Sequence, residues 1–136
     1  MKLSVIKNES KLLKNTNSDF RLLIGGNTGE VKKDTSEGTH SEYFYLAEGR
    51  LQEDEVKEMH VHDYGDEFIY VTKGKGIISS ESEYHVVKKG DIVFIPKGSA
   101  HKLENLGKKE FKYLFGCAPL APKAELGHRN IAADIK

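Results

Sequence analysis

Short runs of strand-forming residues, many with apolar and polar positions in alternation, recur along this chain between glycine-rich turns. Alternation with a period of two is typical of a β-strand that turns one face toward a core. The pattern predicts strands at residues 21–24, 43–46, 55–61, 68–72, 76–80, 83–87, 92–95, 102–105 and 111–115. Many short strands separated by turn residues favour an all-β sandwich or barrel.

The length and composition agree with one small domain. At 136 residues, 38% of them apolar, the chain is large enough for one barrel core. We therefore predict a single domain over residues 1–136, with an N-terminal arm at about residues 1–20. A polar tail with two prolines, at about residues 118–136, is predicted to wrap the domain or to pair with another subunit.

Charge and cysteine content argue against several classes of protein. The formal net charge is zero and the pI is about 7.0, which argues against a nucleic-acid-binding surface. No apolar run approaches the length of a transmembrane helix, and the lysine-rich start lacks the apolar centre of a secretory signal. We therefore predict a cytoplasmic protein that binds neither nucleic acid nor membrane. The single Cys117 is interpreted as a small residue at a strand end.

The spacing of His60, His62 and Glu67 indicates a metal site. In a strand, His60 and His62 project to the same side and lie about 6.5–7 Å apart, so both imidazoles can reach one ion. Residues 63–66 predict a turn, and strand-forming residues follow it, so the chain doubles back and sets Glu67 beside His62. Two imidazoles and one carboxylate are the donor set of many iron and manganese sites.

A second stretch downstream supplies a further histidine. Residues 90–91 predict a turn and residues 92–95 a buried strand, which Pro96 and Gly98 end. His101 then opens another short strand. The other three histidines have no such spacing and are interpreted as surface residues: His40, His85 and His128.

The two stretches together resemble the paired motifs of the cupin superfamily. The first reads His-x-His, four residues, Glu, six residues, Gly, and runs from His60 to Gly74. The second reads Gly, five residues, Pro-x-Gly, two residues, His, three residues, Asn, and runs from Gly90 to Asn105. The short gap between them is similar to that of small single-domain cupins. Where the first motif usually opens with a glycine, this chain has Asp54, which puts the shape of that turn in question.

The resemblance implies a fold, a cofactor and a ligand set. The fold is a jelly-roll β-barrel, also called a double-stranded β-helix. The cofactor is one divalent transition-metal ion, with iron, manganese, nickel, cobalt, zinc and copper all open. The residues that match the family's metal positions are His60, His62, Glu67 and His101. Because cupins commonly pair through their sheets and termini, the resemblance also implies a homodimer.

Alternation around the site predicts the lining of the pocket. Ile69 and Val71 share a face with Glu67. Glu58 shares the parity of His60 if no bulge intervenes, which makes it a candidate acid–base group, with a solvent-exposed rim carboxylate as the alternative. We therefore name Glu67, also a ligand, and Glu58 as candidate catalytic residues. The rest of the predicted wall is aromatic: one face of residues 43–45, and Phe111, Tyr113 and Phe115.

Two functions stay open from the sequence. The first is a metal-dependent enzyme acting on a small oxygen-rich metabolite, a carboxylate, sugar acid or phenolic, as a dioxygenase, decarboxylase, isomerase or lyase. The second is a non-catalytic, metal-dependent module that binds or senses a sugar or carboxylate. A purely structural zinc site is disfavoured, because such sites are typically closed and cysteine-rich. No serine has a visible His-plus-acid arrangement, which favours metal-centred chemistry over a nucleophile.

Overall fold

A computed structural model gives the fold of residues 3–7, 13–14, 19–26, 39–123 and 126–131, so part of the predicted N-terminal arm lies outside the described residues. Within these ranges the strands are, in chain order, β1 (Leu13–Lys14), β2 (Asp19–Ile24), β3 (Tyr45–Leu51), β4 (Val56–Val61), β5 (Asp66–Lys73), β6 (Lys75–Ser79), β7 (Tyr84–Lys88), β8 (Ile92–Ile95), β9 (His101–Asn105), β10 (Phe111–Ala118) and β11 (Arg129–Asn130).

The strands form two antiparallel sheets. One sheet has six strands in the order β1-β2-β3-β10-β5-β8, and the other has five in the order β11-β4-β9-β6-β7. Apolar side chains from both sheets meet in one core cluster, so the two inner faces pack together. The fold is therefore the predicted all-β jelly roll, the double-stranded β-helix.

Each strand predicted from the sequence has a counterpart, and most ends agree to within a few residues. The largest difference is β3, predicted at residues 43–46 and observed at Tyr45–Leu51. Gly49 in its middle lowers the strand propensity of the segment. The glycine is needed there, because a Cβ on Gly49 would collide with the ring of Tyr113. Packing across the sheet therefore extends the strand, and this packing is not visible in the local sequence pattern.

Alternation within β5 separates the inside of the barrel from the outside, as predicted. Ile69 and Val71 are buried on the same side as Glu67, with 3% and 0% of their surface exposed. Phe68 and Tyr70 point outward and are each 40% exposed. The predicted aromatic wall is also confirmed, since three rings of β10 are buried: Phe111, Tyr113 and Phe115.

Tyr45 and Tyr43, predicted to share one face, separate. Tyr45 is 4% exposed, whereas Tyr43 is 72% exposed because it precedes the first residue of β3.

The turn before β4 keeps its shape despite the missing glycine. Asp54 adopts a φ of 65°, the left-handed conformation that a glycine would take most easily. Aspartate tolerates this conformation better than most residues, so the substitution leaves the entry to β4 intact.

The described part of the C-terminal tail wraps its own domain. β11 pairs with β4, and the Ile131 amide donates to the Met59 carbonyl at 3.1 Å. This is the first of the two predicted alternatives, and it covers one edge of the five-stranded sheet.

The single-domain assignment over residues 1–136 stays a prediction. In the parts of the chain described above, no helix has the length and apolar character needed to cross a bilayer.

Candidate metal centre

Four side chains meet at one end of the barrel interior. His60 lies near the end of β4 and His62 directly after it, Glu67 is the second residue of β5, and His101 is the first of β9. One potential ligand atom from each residue lies within 4.8 Å of all the others. Each residue is buried, with 1–3% of its surface exposed. The structure therefore brings together all four residues that the two motifs indicated.

Backbone pairing joins the two motifs across a long separation in sequence. β4 pairs with β9 so that His60 and His101 are direct cross-strand partners. The Gly98 amide donates a hydrogen bond to the carbonyl of His62 at 2.8 Å. This bond ties the loop before His101 to the hairpin that follows His60, so the clustered residues are held by paired strands and by a hydrogen-bonded loop.

Each clustered imidazole is oriented by a hydrogen bond from its Nδ1 to a backbone carbonyl. The acceptors are Glu58 for His60 at 2.7 Å, Gly127 for His62 at 2.6 Å, and Ser99 for His101 at 2.9 Å. A carbonyl oxygen only accepts, so Nδ1 of each ring carries the proton. In the neutral ring this leaves Nε2 with its lone pair, the tautomer that a metal ligand requires.

Several polar atoms of the cluster are buried without a hydrogen-bond partner among the described residues. They are Nε2 of His62, Nε2 of His101 and Oε1 of Glu67. Nε2 of His101 lies 2.7 Å from Oε1 of Glu67, a contact that is favourable only while the imidazole carries a proton on both nitrogens. Buried polar atoms normally have partners, and each orphan costs about 1–3 kcal/mol. A divalent transition-metal ion would satisfy all of them, so this donor set fits such an ion.

Electrostatics keeps the carboxylate of the cluster ionised. Burial raises the pKa of Glu67, but the close contact with His101 and the charges of His62, His101 and His60 lower it to about 2. The pKa of His101 is raised: burial lowers it, and the Glu67 carboxylate raises it by more. The Lys57 ammonium opposes that rise through its charge. Glu67 is therefore available as an anionic ligand at any physiological pH.

Glu58 does not lie with the cluster. The register between β4 and β9 shifts between Lys57 and His60, so a bulge breaks the alternation on which the prediction for Glu58 depended. Glu58 is exposed, whereas Lys57 is 9% exposed and turns inward. Glu58 instead supplies its backbone carbonyl to the His60 ring. The geometric argument for an acid–base role of Glu58 therefore no longer holds. The structure favours the alternative, an exposed carboxylate at the rim.

The C-terminal tail brings a further histidine to the site. The ring of His128 stacks on His60 with centroids 4.6 Å apart and planes 15° apart, and meets His62 edge-on at 5.5 Å. Its Nε2 donates to Oδ1 of Asn130 at 2.9 Å. We predicted a surface residue, but His128 is half-buried. No local spacing links it to His60, because the pairing of β11 with β4 creates the contact. His40 and His85 are exposed, as predicted.

A cavity of about 230 Å³ borders the cluster. Its wall includes His101 and Ser99 together with the polar residues Ser79, Ser82 and His85. Pockets for drug-sized ligands measure roughly 300–1,000 Å³. The cavity is therefore smaller than that range and partly polar where it meets His101.

Comparison with known proteins agrees with the fold and the site. The family model described as "Cupin domain" matches residues 49–117. Protein SchB of Streptomyces halstedii is 34% identical over 104 residues, which cover 76% of this chain and 74% of that protein. Tetracenomycin polyketide synthase protein TcmJ of Streptomyces glaucescens is 29% identical over 104 residues, which cover 76% of this chain and 68% of that protein.

A solved structure shares the fold along nearly the whole chain. The polyketide cyclase RemF from Streptomyces resistomycificus superposes with a TM-score of 0.70 at 21% identity, covering 96% of this chain and 86% of that one. At this identity the likeness concerns the fold alone. The matched segment 49–117 contains all four clustered residues, and the resemblance inferred from the two motifs is confirmed. The chain belongs to the cupin family.

Proposed function

We propose that this protein is a metal-dependent enzyme that acts on a small oxygen-rich metabolite, a carboxylate, sugar acid or phenolic. One observation carries the proposal: three imidazoles and one carboxylate converge in a buried site with polar atoms that lack partners among the described residues. Such an arrangement is costly to fold, so a bound ion is the simplest reason for it. A structural zinc site would be closed and usually contain cysteine, and this cluster contains none.

The four residues would hold the ion as three neutral imidazoles and one carboxylate. When bound, the ion supplies Lewis-acid chemistry toward the oxygen atoms of a substrate, at the coordination positions that the protein leaves open. The backbone carbonyls that accept from each Nδ1 fix the ring orientations in advance, so little reorganisation accompanies binding. Burial of the cluster excludes bulk water. Glu67 is the one residue here for which we propose both ligation and a catalytic role.

One relative narrows the substrate class. The name of TcmJ places that protein with a polyketide synthase. Polyketide intermediates are rich in carbonyl groups. Their enol or phenol forms can lose a proton, and the resulting oxygens chelate a metal ion. We therefore favour phenolic or 1,3-dicarbonyl substrates within the broader oxygen-rich class.

Elemental analysis tests the metal site. Protein purified without added metal is compared with His101→Ala, and with His85→Ala as a control, because the His85 side chain is 64% exposed and lies outside the cluster. We expect one transition-metal ion per chain in the wild type and the control, and loss of it in His101→Ala. Absence of metal from the wild type, with no thermal stabilisation by any added ion, would contradict the proposal.

Turnover separates the enzyme from the alternative, a non-catalytic binding or sensor module. The metal-loaded wild type is incubated with a panel of phenols, 1,3-diketones, hydroxy acids and uronates, and products are followed by mass spectrometry. We expect at least one substrate to be converted by the wild type and not by His101→Ala. Tight binding of a panel member without conversion would favour the binding module.

We further propose a homodimer that forms through the outer face of the six-stranded sheet. Phe68 and Phe94 are cross-strand partners on β5 and β8 and are 40% and 65% exposed. Tyr70 and Ile92 form the next pair, 40% and 70% exposed, beside the edge strand β8. Apolar patches of this kind mark interaction surfaces. Light scattering should give a dimer mass for the wild type and a monomer mass for Phe94→Lys.

The cytoplasmic location stays a prediction, which cell fractionation tests.

A further inference from the structure

A hydrogen bond to the C-terminal tail orients one of the clustered imidazoles. Nδ1 of His62 donates to the carbonyl of Gly127 at 2.6 Å, across 65 residues of sequence. The backbone acceptors for His60 and His101 each lie only two residues away in the chain. The hydrogen bonds of those two rings are therefore local, whereas the orientation of His62 depends on the docked tail.

The tail also packs a ring against the neighbouring imidazole. His128 is half-buried, and its ring lies nearly parallel to that of His60, with centroids 4.6 Å apart and planes 15° apart. The same ring meets His62 edge-on at 5.5 Å. The side chain of Asn130 holds it from the other side by accepting from Nε2 of His128 at 2.9 Å. A ring held in this way restricts the tilt of both imidazoles beside it.

Coverage of the sheet edge does not require these contacts. β11 already pairs with the edge strand β4, and Gly127 and His128 precede β11 in the chain. A strand that only covers an edge needs no hydrogen bond to a buried imidazole and no stacked ring. The contacts made by Gly127 and His128 are directed at two residues of the cluster, which suggests a role in the metal site.

The tail docks through elements that face solvent. Arg129 and Asn130, the two residues of β11, are exposed. The ion pair between Arg129 and Asp63 joins side chains that are 53% and 39% exposed. Segments with exposed backbone hydrogen bonds open locally at a lower free energy than the core does. Docking of the tail is therefore an equilibrium that events at the cluster are able to shift.

We propose that Gly127 and His128 position the ligand histidines of the metal site, so that docking of the tail and binding of the ion strengthen each other. This inference rests on the proposed function and deepens it by giving the tail a part in metal affinity. The carbonyl of Gly127 keeps the proton of the neutral His62 ring on Nδ1, which directs the Nε2 lone pair to the ion. His128 contributes no ligand atom and acts through His60 as a positioning residue.

Titration with cobalt(II) tests the positioning role, because the visible spectrum of the bound ion reports the geometry of its ligands. The variants are His128→Ala, which removes the stacked ring, and His128→Phe, which keeps a flat ring. His85→Ala is the matched control, since the His85 side chain is 64% exposed and lies outside the cluster. Thermal unfolding of each metal-free protein is measured in parallel.

We expect His128→Ala to bind cobalt about tenfold more weakly than the wild type, with an altered spectrum. His128→Phe should recover most of the affinity and the wild-type spectrum, and His85→Ala should match the wild type in both. Equal cobalt affinity and equal spectra in the wild type and His128→Ala would overturn the inference while leaving the metal site intact.

Trypsin tests the reverse direction, because coupling between two equilibria acts equally on both. Cleavage after the exposed Arg129 reports opening of the tail, and cleavage after Lys108, exposed in the loop between β9 and β10, is the internal control. Saturating cobalt should slow cleavage at Arg129 by about tenfold and change cleavage at Lys108 by less than about twofold. Unchanged cleavage at Arg129 would overturn the coupling.

Two other outcomes are decisive. Failure of the wild type to bind cobalt would contradict the proposed function itself. If His128→Ala does not fold, His128→Leu is measured in its place. If neither folds while His128→Phe does, the ring is required for packing, and the positioning role is overturned.

Discussion

The two ends of this barrel are equally buried but chemically opposite. At one end Leu51, Val71 and Phe111 fill the interior with 0–1% of their surface exposed. At the other end His60 and His101 are 1% and 2% exposed. The apolar end gains free energy from burial, whereas the polar end contains buried atoms without partners in the described part of the chain. The comparison teaches that burial alone does not identify a core, since here it also occurs at a cluster of polar side chains that could hold a metal ion.

The largest expected effect on stability lies at the apolar end. Phe111→Ala should lower the free energy of unfolding by about 3–5 kcal/mol, because it removes a fully buried ring and leaves a cavity. Chemical denaturation measures this loss. Tyr84→Ala is the matched control, since Tyr84 is 71% exposed on β7, outside the proposed dimer face, and its loss should cost far less. Similar losses in the two variants would contradict the assignment of the core.

At the polar end, the stability of the protein should depend on bound metal and not on the loss of a side chain alone. Saturation of the wild type at 100 times the dissociation constant should stabilise it by about 2.7 kcal/mol. That gain should disappear in His62→Ala, Glu67→Ala and His101→Ala, each of which removes a ligand while the apolar end keeps the fold. Calorimetry with and without metal measures the difference. Full metal-dependent stabilisation in any two of these variants would rule out the proposed set of four ligands.

Acid should destabilise the metal-free protein through Glu67. The pKa of this carboxyl is lowered from 4.5 to about 2 in the folded state. A lowered pKa means that the stabilisation is present above pH 4.5 and is lost as the pH falls toward 2. Glu67→Gln has no charge to lose, so its stability should fall less over this window. Denaturation curves at several pH values test this, and parallel profiles for the two proteins would contradict it.

Metal binding should also weaken on acidification, but over a higher pH range. The pKa of His101 is raised by the Glu67 carboxylate, so without metal this ring gains stability from its proton, and that gain is lost as pH rises through the folded pKa. A metal ligand must be neutral, so protons compete with the ion. Metal affinity should therefore weaken on acidification from above the ordinary histidine pKa of about 6.5. Occupancy that is unchanged at strongly acidic pH would exclude imidazole ligation.

The smallest expected effect concerns the tail that covers the polar end. Arg129 donates to both oxygens of Asp63 at 3.1 Å, and this contact lowers the pKa of Asp63. The side chains are 53% and 39% exposed, so solvent screening limits the pair to about 0.2–1 kcal/mol. A double-mutant cycle with Arg129→Ala and Asp63→Ala measures the coupling. A coupling of several kcal/mol would mean that the tail is a major part of the fold.

Much of the site was accessible to sequence reasoning because the chemistry is local. His60 and His62 need only the alternation of one strand, and Glu67 needs only one hairpin turn. The place of His101 followed from its resemblance to a known motif, since nothing local joins it to His60. Lys57 and His128 were missed for different reasons. A bulge reverses the parity of Lys57, and a pairing between β4 and β11 brings His128 to the site.

The sequence by itself determined the strand pattern, the grouping of His60, His62 and Glu67, and the side of β5 that faces inward. These features depend on residue type and on the two-residue period, both of which are local. Only the tertiary structure decided which side chain of β4 turns inward beside the bulge, where β3 ends, and what the tail covers. Those outcomes depend on packing and pairing between residues far apart in the chain, such as Gly49 beneath Tyr113 and Gly127 behind His62. Local propensity contains no information about such partners.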